Sequence, residues 1–260
     1  MTINHKNSNF LIIGLILILV IVGVYLNRAY AHIYNTLGAA ELKPVDYENT
    51  YYPNSMAYIN NIAPISNFIY SSLGDSLTAG VGVSDYSEAY PYLVAVKLEG
   101  AERKVVLKNH SIPGATTVDL VNSLLPAAIN DNPDIVTLLI GVNDLHNRVS
   151  LNDFKNNYEQ ILSRLTTKTK AKIYIISIPF IGANTLMWPP YQFYFNYQTK
   201  RFNLAIQELA RKYKVNYLDL YTPTLTLFKK PGNHYSPDLF HPSAAGYKIW
   251  ADIIYDNLNK

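Results

Sequence analysis

The chain has 260 residues, 49% hydrophobic and 16% charged, a balance that suits a folded domain and excludes a largely disordered chain. The formal net charge is only +3 and no block of Lys and Arg occurs, which excludes a nucleic-acid role, because tracking phosphates takes clustered cations. Cysteine is absent, so disulfides, thiolate metal sites and a cysteine nucleophile are excluded too.

After a short tail, residues 1–9, comes the uncharged run FLIIGLILILVIVGVYL, residues 10–26, which starts at Phe10, ends at Leu26 and lies between Lys6 and Arg28. Its 17 residues reach the lower end of what spans a bilayer as a helix. We expect one N-terminal transmembrane helix that anchors the chain, with the rest outside the cytoplasm. Ala29-Tyr30-Ala31 resembles a small-x-small cleavage site, so the alternative is a cleaved signal and a secreted domain. Residues 27–66 show no sustained apolar period and are rich in Asn, Tyr and Pro, which reads as a stalk or irregular linker.

From Asn67 to Lys260 the patterns alternate, and this stretch reads as one domain. Apolar strand patterns fall at 68–73, 104–109, 135–140, 172–177 and 215–218. Their unbroken apolar character suits parallel strands covered on both faces. Helical patterns fall between them at 90–98, 117–130, 151–167 and 198–213, with a last one at 243–258. The alternation predicts an α/β protein, a three-layer α/β/α sandwich around a five-stranded parallel sheet. Ligands of such sheets bind beyond the carboxyl ends of the strands.

Four polar, loop-borne groups fall at that edge. Ser76 follows the first strand in GDSLTAG, Gly114 follows the second in HSIPGATT, Asn143 follows the third in GVND, and Asp238 and His241 precede the last helix in SPDLFHPSAAGY. Each has a plainer reading alone: Ser76 as a helix cap, Gly114 as a Pro-Gly turn, Asn143 as an Asx-turn, Asp238 as a turn aspartate beside Pro237. Together they suggest nucleophilic catalysis. A serine hydroxyl needs an adjacent base held in the right tautomer, and histidine, with an ordinary pKa of about 6.5, suits that task. Of six histidines only His241 has an acidic partner three residues before it. The Ser76 and Gly114 amides and the Asn143 side chain can supply donors for an oxyanion.

Competing motifs fail on single residues. Thr78 stands where a nucleophile elbow needs Gly, Ala79-Gly80-Val81 where a P-loop needs Gly-Lys-Ser/Thr, and Asp85 where a dinucleotide fingerprint needs its third Gly. No His, Asp or Glu cluster has clear metal-ligand spacing. The aromatic segment at 183–200, ANTLMWPPYQFYFNYQTK, starts at the same sheet edge, with Pro189-Pro190 expected to stop an early helix. It is expected to wall an acyl pocket through Trp188 and Tyr191. The alternative is that its rings pack the loop onto the domain or touch lipid.

GDSLTAG, NHSIPGATT, GVND and DLFH, in that order, resemble the blocks of the SGNH, or GDSL, hydrolase family. The resemblance covers about 67–260 and implies a flavodoxin-like sandwich and hydrolysis of acyl esters, esterase- or lysophospholipase-like, through an acyl-serine. It implies Ser76 as nucleophile, Asp238 and His241 as the rest of a triad, and Ser76, Gly114 and Asn143 as oxyanion donors. No metal or organic cofactor is implied, and the substrate expected is a small-molecule, lipid or glycan acyl ester. Two other readings remain: an acyltransferase or deacetylase acting on an envelope glycan, and a catalytically silent carbohydrate-binding domain.

Overall fold

A computed structural model describes residues 5–40, 50–53, 67–100, 103–228 and 232–258. A long helix, α1 (His5–Ala39), opens the chain, and β1 (Thr50–Tyr51) is a two-residue strand. The domain then runs β2 (Asn67–Gly74), α2 (Ser76–Ala79), α3 (Tyr90–Leu98), β3 (Lys104–Ser111), α4 (Thr117–Asp119), α5 (Leu125–Asn130) and β4 (Ile135–Leu139). It continues with α6 (Val142–His146), α7 (Leu151–Lys168), β5 (Lys172–Ile176), α8 (Tyr191–Tyr213), β6 (Asn216–Leu218), α9 (Tyr221–Phe228) and α10 (Ala244–Leu258). A π-helical turn at Leu120–Leu124 joins α4 to α5.

The sheet has six strands in the order β1-β3-β2-β4-β5-β6. The five expected strands pair in parallel, and the unforeseen sixth, β1, pairs antiparallel with β3 at the edge. A two-residue strand carries no period of its own, so sequence pattern could not reveal it. Helices α3 and α10 pack together, and α7 packs on α8. Burial follows helical spacing. In α7, Phe154, Tyr158, Ile161, Leu162 and Leu165 face inward, and Ser150 caps the first turn by accepting the Asp153 amide at 3.1 Å.

The strand order sets the site. The chain passes from β2 to β3 on one side, then crosses back over β2 to β4 on the other. In open sheets of this kind ligands bind at the carboxyl ends of the strands where the order reverses, which here is the end of β2. Gly74 ends β2 there, and a Cβ on it would lie 2.1 Å from Thr78 Oγ1 and 2.4 Å from the Leu139 carbonyl, so only glycine permits this approach.

Two expectations need correction. Residues 27–39 are not irregular chain but continue α1, whereas 41–49 and 54–66 lie outside the described residues. Leu26, Ala29, Ile33 and Leu37 recur every three or four residues and are drawn inward, Ala29 and Ile33 being buried and Leu26 and Leu37 half-buried. Leu186 and Met187, which cluster with Ile33 and carry Leu37 against them, belong to the domain. The helix expected at 198–213 begins earlier, at Tyr191, because Pro190 stands at its N-cap, where proline starts a helix rather than stopping one.

Candidate active site

Ser76 is the first residue of α2, directly beyond β2, and is buried but for a 7% exposed surface. Asp75 fixes the turn, since its carboxylate accepts the Leu77 amide at 3.0 Å as an N-cap. Burial pushes the Asp75 carboxyl up to about 7; the Leu77 amide opposes this and the nearby Asp144 charge adds to it.

The loop before α10 brings up the other groups. His241 Nε2 lies 3.0 Å from Ser76 Oγ, and His241 Nδ1 lies 2.5 Å from Asp238 Oδ2. The second Asp238 oxygen accepts three bonds: the Ser236 hydroxyl at 2.6 Å and the Phe240 and His241 amides at 2.9 Å each. Burial pushes the Asp238 carboxyl up, but its bond to and attraction by His241, with the bonds from Ser236 and Phe240, outweigh that and hold it below its ordinary value. Gly82 lets the turn after α2 approach this loop. Its φ is +109°, and a Cβ there would lie 2.3 Å from the Pro242 carbonyl and 3.0 Å from His241 Cβ.

Gly114 lies in the turn between β3 and α4, and Asn143 lies in the first turn of α6, just after β4. Gly114 is exposed with open space around it, and Asn143 Nδ2 donates to the Ala115 carbonyl at 3.0 Å, which orients the amide toward the Gly114 turn. Three residues not singled out in the sequence hold these segments together. The buried Asp144 carboxylate accepts both the amide and the hydroxyl of Thr117, and Asn157 Nδ2 donates to that hydroxyl at 3.1 Å. Burial raises the Asp144 carboxyl and the Thr117 bonds oppose that shift. Ser236 was missed as well, although its place two residues before Asp238 in SPDLFH marked it as a partner.

The expected acyl wall divides. Tyr191 borders a cavity beside the site, and its hydroxyl donates to the Leu26 carbonyl at 3.4 Å. Trp188 lines no cavity described around the site; its indole stacks on His32 of α1 at 4.5 Å between ring centres. Trp188 therefore packs its loop against α1. Among the described residues no group of His, Cys, Asp and Glu is placed to hold a metal ion.

The model of the GDSL-like lipase/acylhydrolase family matches residues 72–249, and the chain belongs to that family. It is a serine esterase, a hydrolase of carboxylic esters. Solved structures share the fold at low identity. Axe2, an acetylxylan esterase from Geobacillus stearothermophilus, is 19% identical with a TM-score of 0.60, covering 75% of this chain and 96% of its own. TesA is 20% identical with a TM-score of 0.61, covering 73% and 97%. A lipase/acylhydrolase from Enterococcus faecalis is 21% identical with a TM-score of 0.56, covering 74% and 95%. No curated protein matches the chain.

Proposed function

We propose that Ser76 attacks the carbonyl carbon of an acyl ester and that the product of attack is an acyl-serine. The observation that carries this reading is the unbroken hydrogen-bonded line Ser76–His241–Asp238. His241 Nε2 takes the Ser76 proton as the Oγ–C bond forms, while Asp238 holds Nδ1–H and steadies the imidazolium. The tetrahedral oxyanion rests on the Ser76 and Gly114 amides and on the Asn143 side chain. His241 returns the proton to the departing alcohol. Water, deprotonated by the same imidazole, then attacks the acyl-serine and releases the acid.

In this reading residues 67–260 form the esterase domain and the apolar part of α1 holds it on a membrane. The length of α1 supports this: residues 9–39 are apolar enough to cross a bilayer, and the side chains at 10–22 stand 46% exposed or more, apart from Gly14, with no protein partner. Esterase- or lysophospholipase-like chemistry outside the cytoplasm fits that placement. A second reading, deacetylation of or acyl transfer to an envelope glycan, draws on the fold shared with an acetylxylan esterase.

A fluorophosphonate probe tests the nucleophile. One equivalent should add to Ser76 and none to a Ser76→Ala variant; modification elsewhere, or none, removes the assignment and leaves a binding module. Acetate release from an acetyl ester, with and without a sugar acceptor, separates hydrolysis from transfer.

A further inference from the structure

Helix α1 and the domain together border a cavity of about 600 Å3, within the range of roughly 300–1,000 Å3 usual for small-ligand sites. Leu26, Tyr30 and Ile33 form its α1 side, and Leu145, Tyr194 and Phe195 stand among the residues opposite. Leu145 and Phe195 also line a narrow crevice that reaches Val142 and Phe240, the chain neighbours of Asn143 and His241. The catalytic loop is packed into the same corner, where Leu239 and Phe240 rest on the cluster of Ile33, Leu186 and Met187.

Two observations say what this cavity takes. Its α1 wall starts at Leu26, the residue that closes the apolar run, so in the anchored reading above the cavity adjoins the end of the membrane span. Exposed aromatic rings gather around that level: Tyr25, Tyr30 and Tyr34 on α1, and Phe193, Tyr194 and Tyr197 on α8. The two helices meet there, with the Tyr30 and Tyr191 rings 6.2 Å apart. Aromatic rings in such a band settle at the headgroup level of a bilayer.

We propose that the cavity binds the hydrocarbon chain of an acyl ester drawn from the adjoining membrane, with the anchor helix forming part of the substrate site. The substrate class is a single-chain membrane amphiphile whose ester carbonyl reaches Ser76 through the corner formed by Phe195 and Phe240. This deepens, and rests on, the ester-hydrolase reading above. Each methylene buried there raises affinity about fourfold. The anchor then does more than hold the enzyme at the surface, since it completes a wall that the domain alone lacks.

The test uses the full-length Ser76→Ala protein in phosphatidylcholine–phosphatidylglycerol vesicles, so that turnover cannot remove the probe. The probe is a lysophosphatidylcholine with a diazirine near the end of its acyl chain; after irradiation the adducts are mapped by mass spectrometry. Adducts are expected at 142–148 and 190–195 as well as along α1. Tyr194→Asp at the exposed rim and Leu26→Trp in the wall should each lower the domain adducts at least fivefold, leaving those at 10–22 unchanged. Adducts confined to α1, or domain adducts indifferent to both substitutions, overturn the site. Hydrolysis of a short acetyl ester by the unsubstituted enzyme tests the Ser76 chemistry separately, so the two readings fail independently.

Discussion

Thr117 and Asp144 clamp the start of α4 to α6: the Thr117 amide donates to Asp144 Oδ2 at 3.0 Å and its hydroxyl donates to Oδ1 at 2.5 Å. The turn that leads into α4 carries Gly114 and α6 carries Asn143, so the clamp bears on the spacing of two proposed oxyanion donors. Thr117→Val keeps the amide bond but leaves a buried carboxylate oxygen unpartnered, which costs about 1–3 kcal/mol of stability. If the clamp also aligns the donors, kcat on nitrophenyl acetate should fall about 10-fold or more with KM little changed, because a small misplacement of transition-state groups is expensive. Thermal melting and steady-state kinetics separate the two effects. A lowered Tm with unaltered kcat would make the clamp purely structural.

Asn143→Ala should lower kcat by roughly 10²–10³ with little effect on KM, as expected when one donor to the oxyanion is lost. Nδ2 of Asn143 already donates to the Ala115 carbonyl at 3.0 Å, and an amide nitrogen carries two hydrogens, so one remains for the substrate. A change confined to KM would assign Asn143 to ground-state binding instead.

Activity should fall on the acid side of its pH profile in one limb, because a protonated His241 cannot accept from Ser76. Asp238 adds no second limb there, since its carboxyl is held below the ordinary carboxylate value and stays ionised. Rates on nitrophenyl acetate between pH 4 and 9 check this, and a flat profile down to pH 4 would remove the histidine base.

Stability should respond to pH through Asp75 in the opposite sense to a salt-bridged carboxylate. Its folded pKa is raised from 3.8 to about 7, so its contribution is fully present below the unfolded value and is lost as pH rises through about 7. Asp75→Asn keeps an N-capping oxygen for the Leu77 amide and removes the buried charge. The variant should melt a few degrees above the parent at pH 8, with the gap closing toward pH 4. An equal gap at both pH values would show that ionisation of Asp75 is not the cause.

The parallel strands and the polar groups of the site were legible because both depend on local signals. Unbroken apolar runs ended in Gly-Asp-Ser, Pro-Gly and Gly-x-Asn turns, and strand ends of an open sheet converge by topology. What escaped was what tertiary contact decides. The pairing of β1 with β3 needs a partner 56 residues away, as with Tyr51 and Leu107. The stripe Leu26–Ala29–Ile33–Leu37 was hidden because its first part merges with a run that is apolar on every side. Thr117 and Asp144 are 27 residues apart, and only the fold brings them together. Tyr191 and Trp188 looked alike as aromatic residues three apart, yet one borders the cavity and the other stacks on His32.

Full-length protein should sediment with membranes and resist both high salt and carbonate, because an apolar helix and not surface charge would hold it. Recovery of a soluble form that begins near His32 would instead show residues 1–31 to be a cleaved signal. Cleavage there would also strip Leu26 and Tyr30 from their contacts with Tyr191.

Tyr191 and Trp188 separate acyl recognition from packing. Tyr191 borders the cavity between α1 and α8, and its ring lies 6.2 Å from that of Tyr30, so Tyr191→Ala removes part of a wall that a hydrocarbon chain would touch. Apolar burial is worth about 0.8 kcal/mol per methylene, so the loss should grow with chain length. We expect kcat/KM for an octanoyl ester to drop at least 10-fold in Tyr191→Ala, while that for the acetyl ester changes less than threefold. Trp188→Ala removes the stack on His32 and the indole bond to the Thr185 carbonyl at 3.2 Å, but borders no part of that cavity. It should lower both esters to a similar, small extent through a looser seat for α1. Equal loss on the two esters in Tyr191→Ala would end its assignment to the acyl wall, and a loss confined to the octanoyl ester in Trp188→Ala would restore the indole to the pocket.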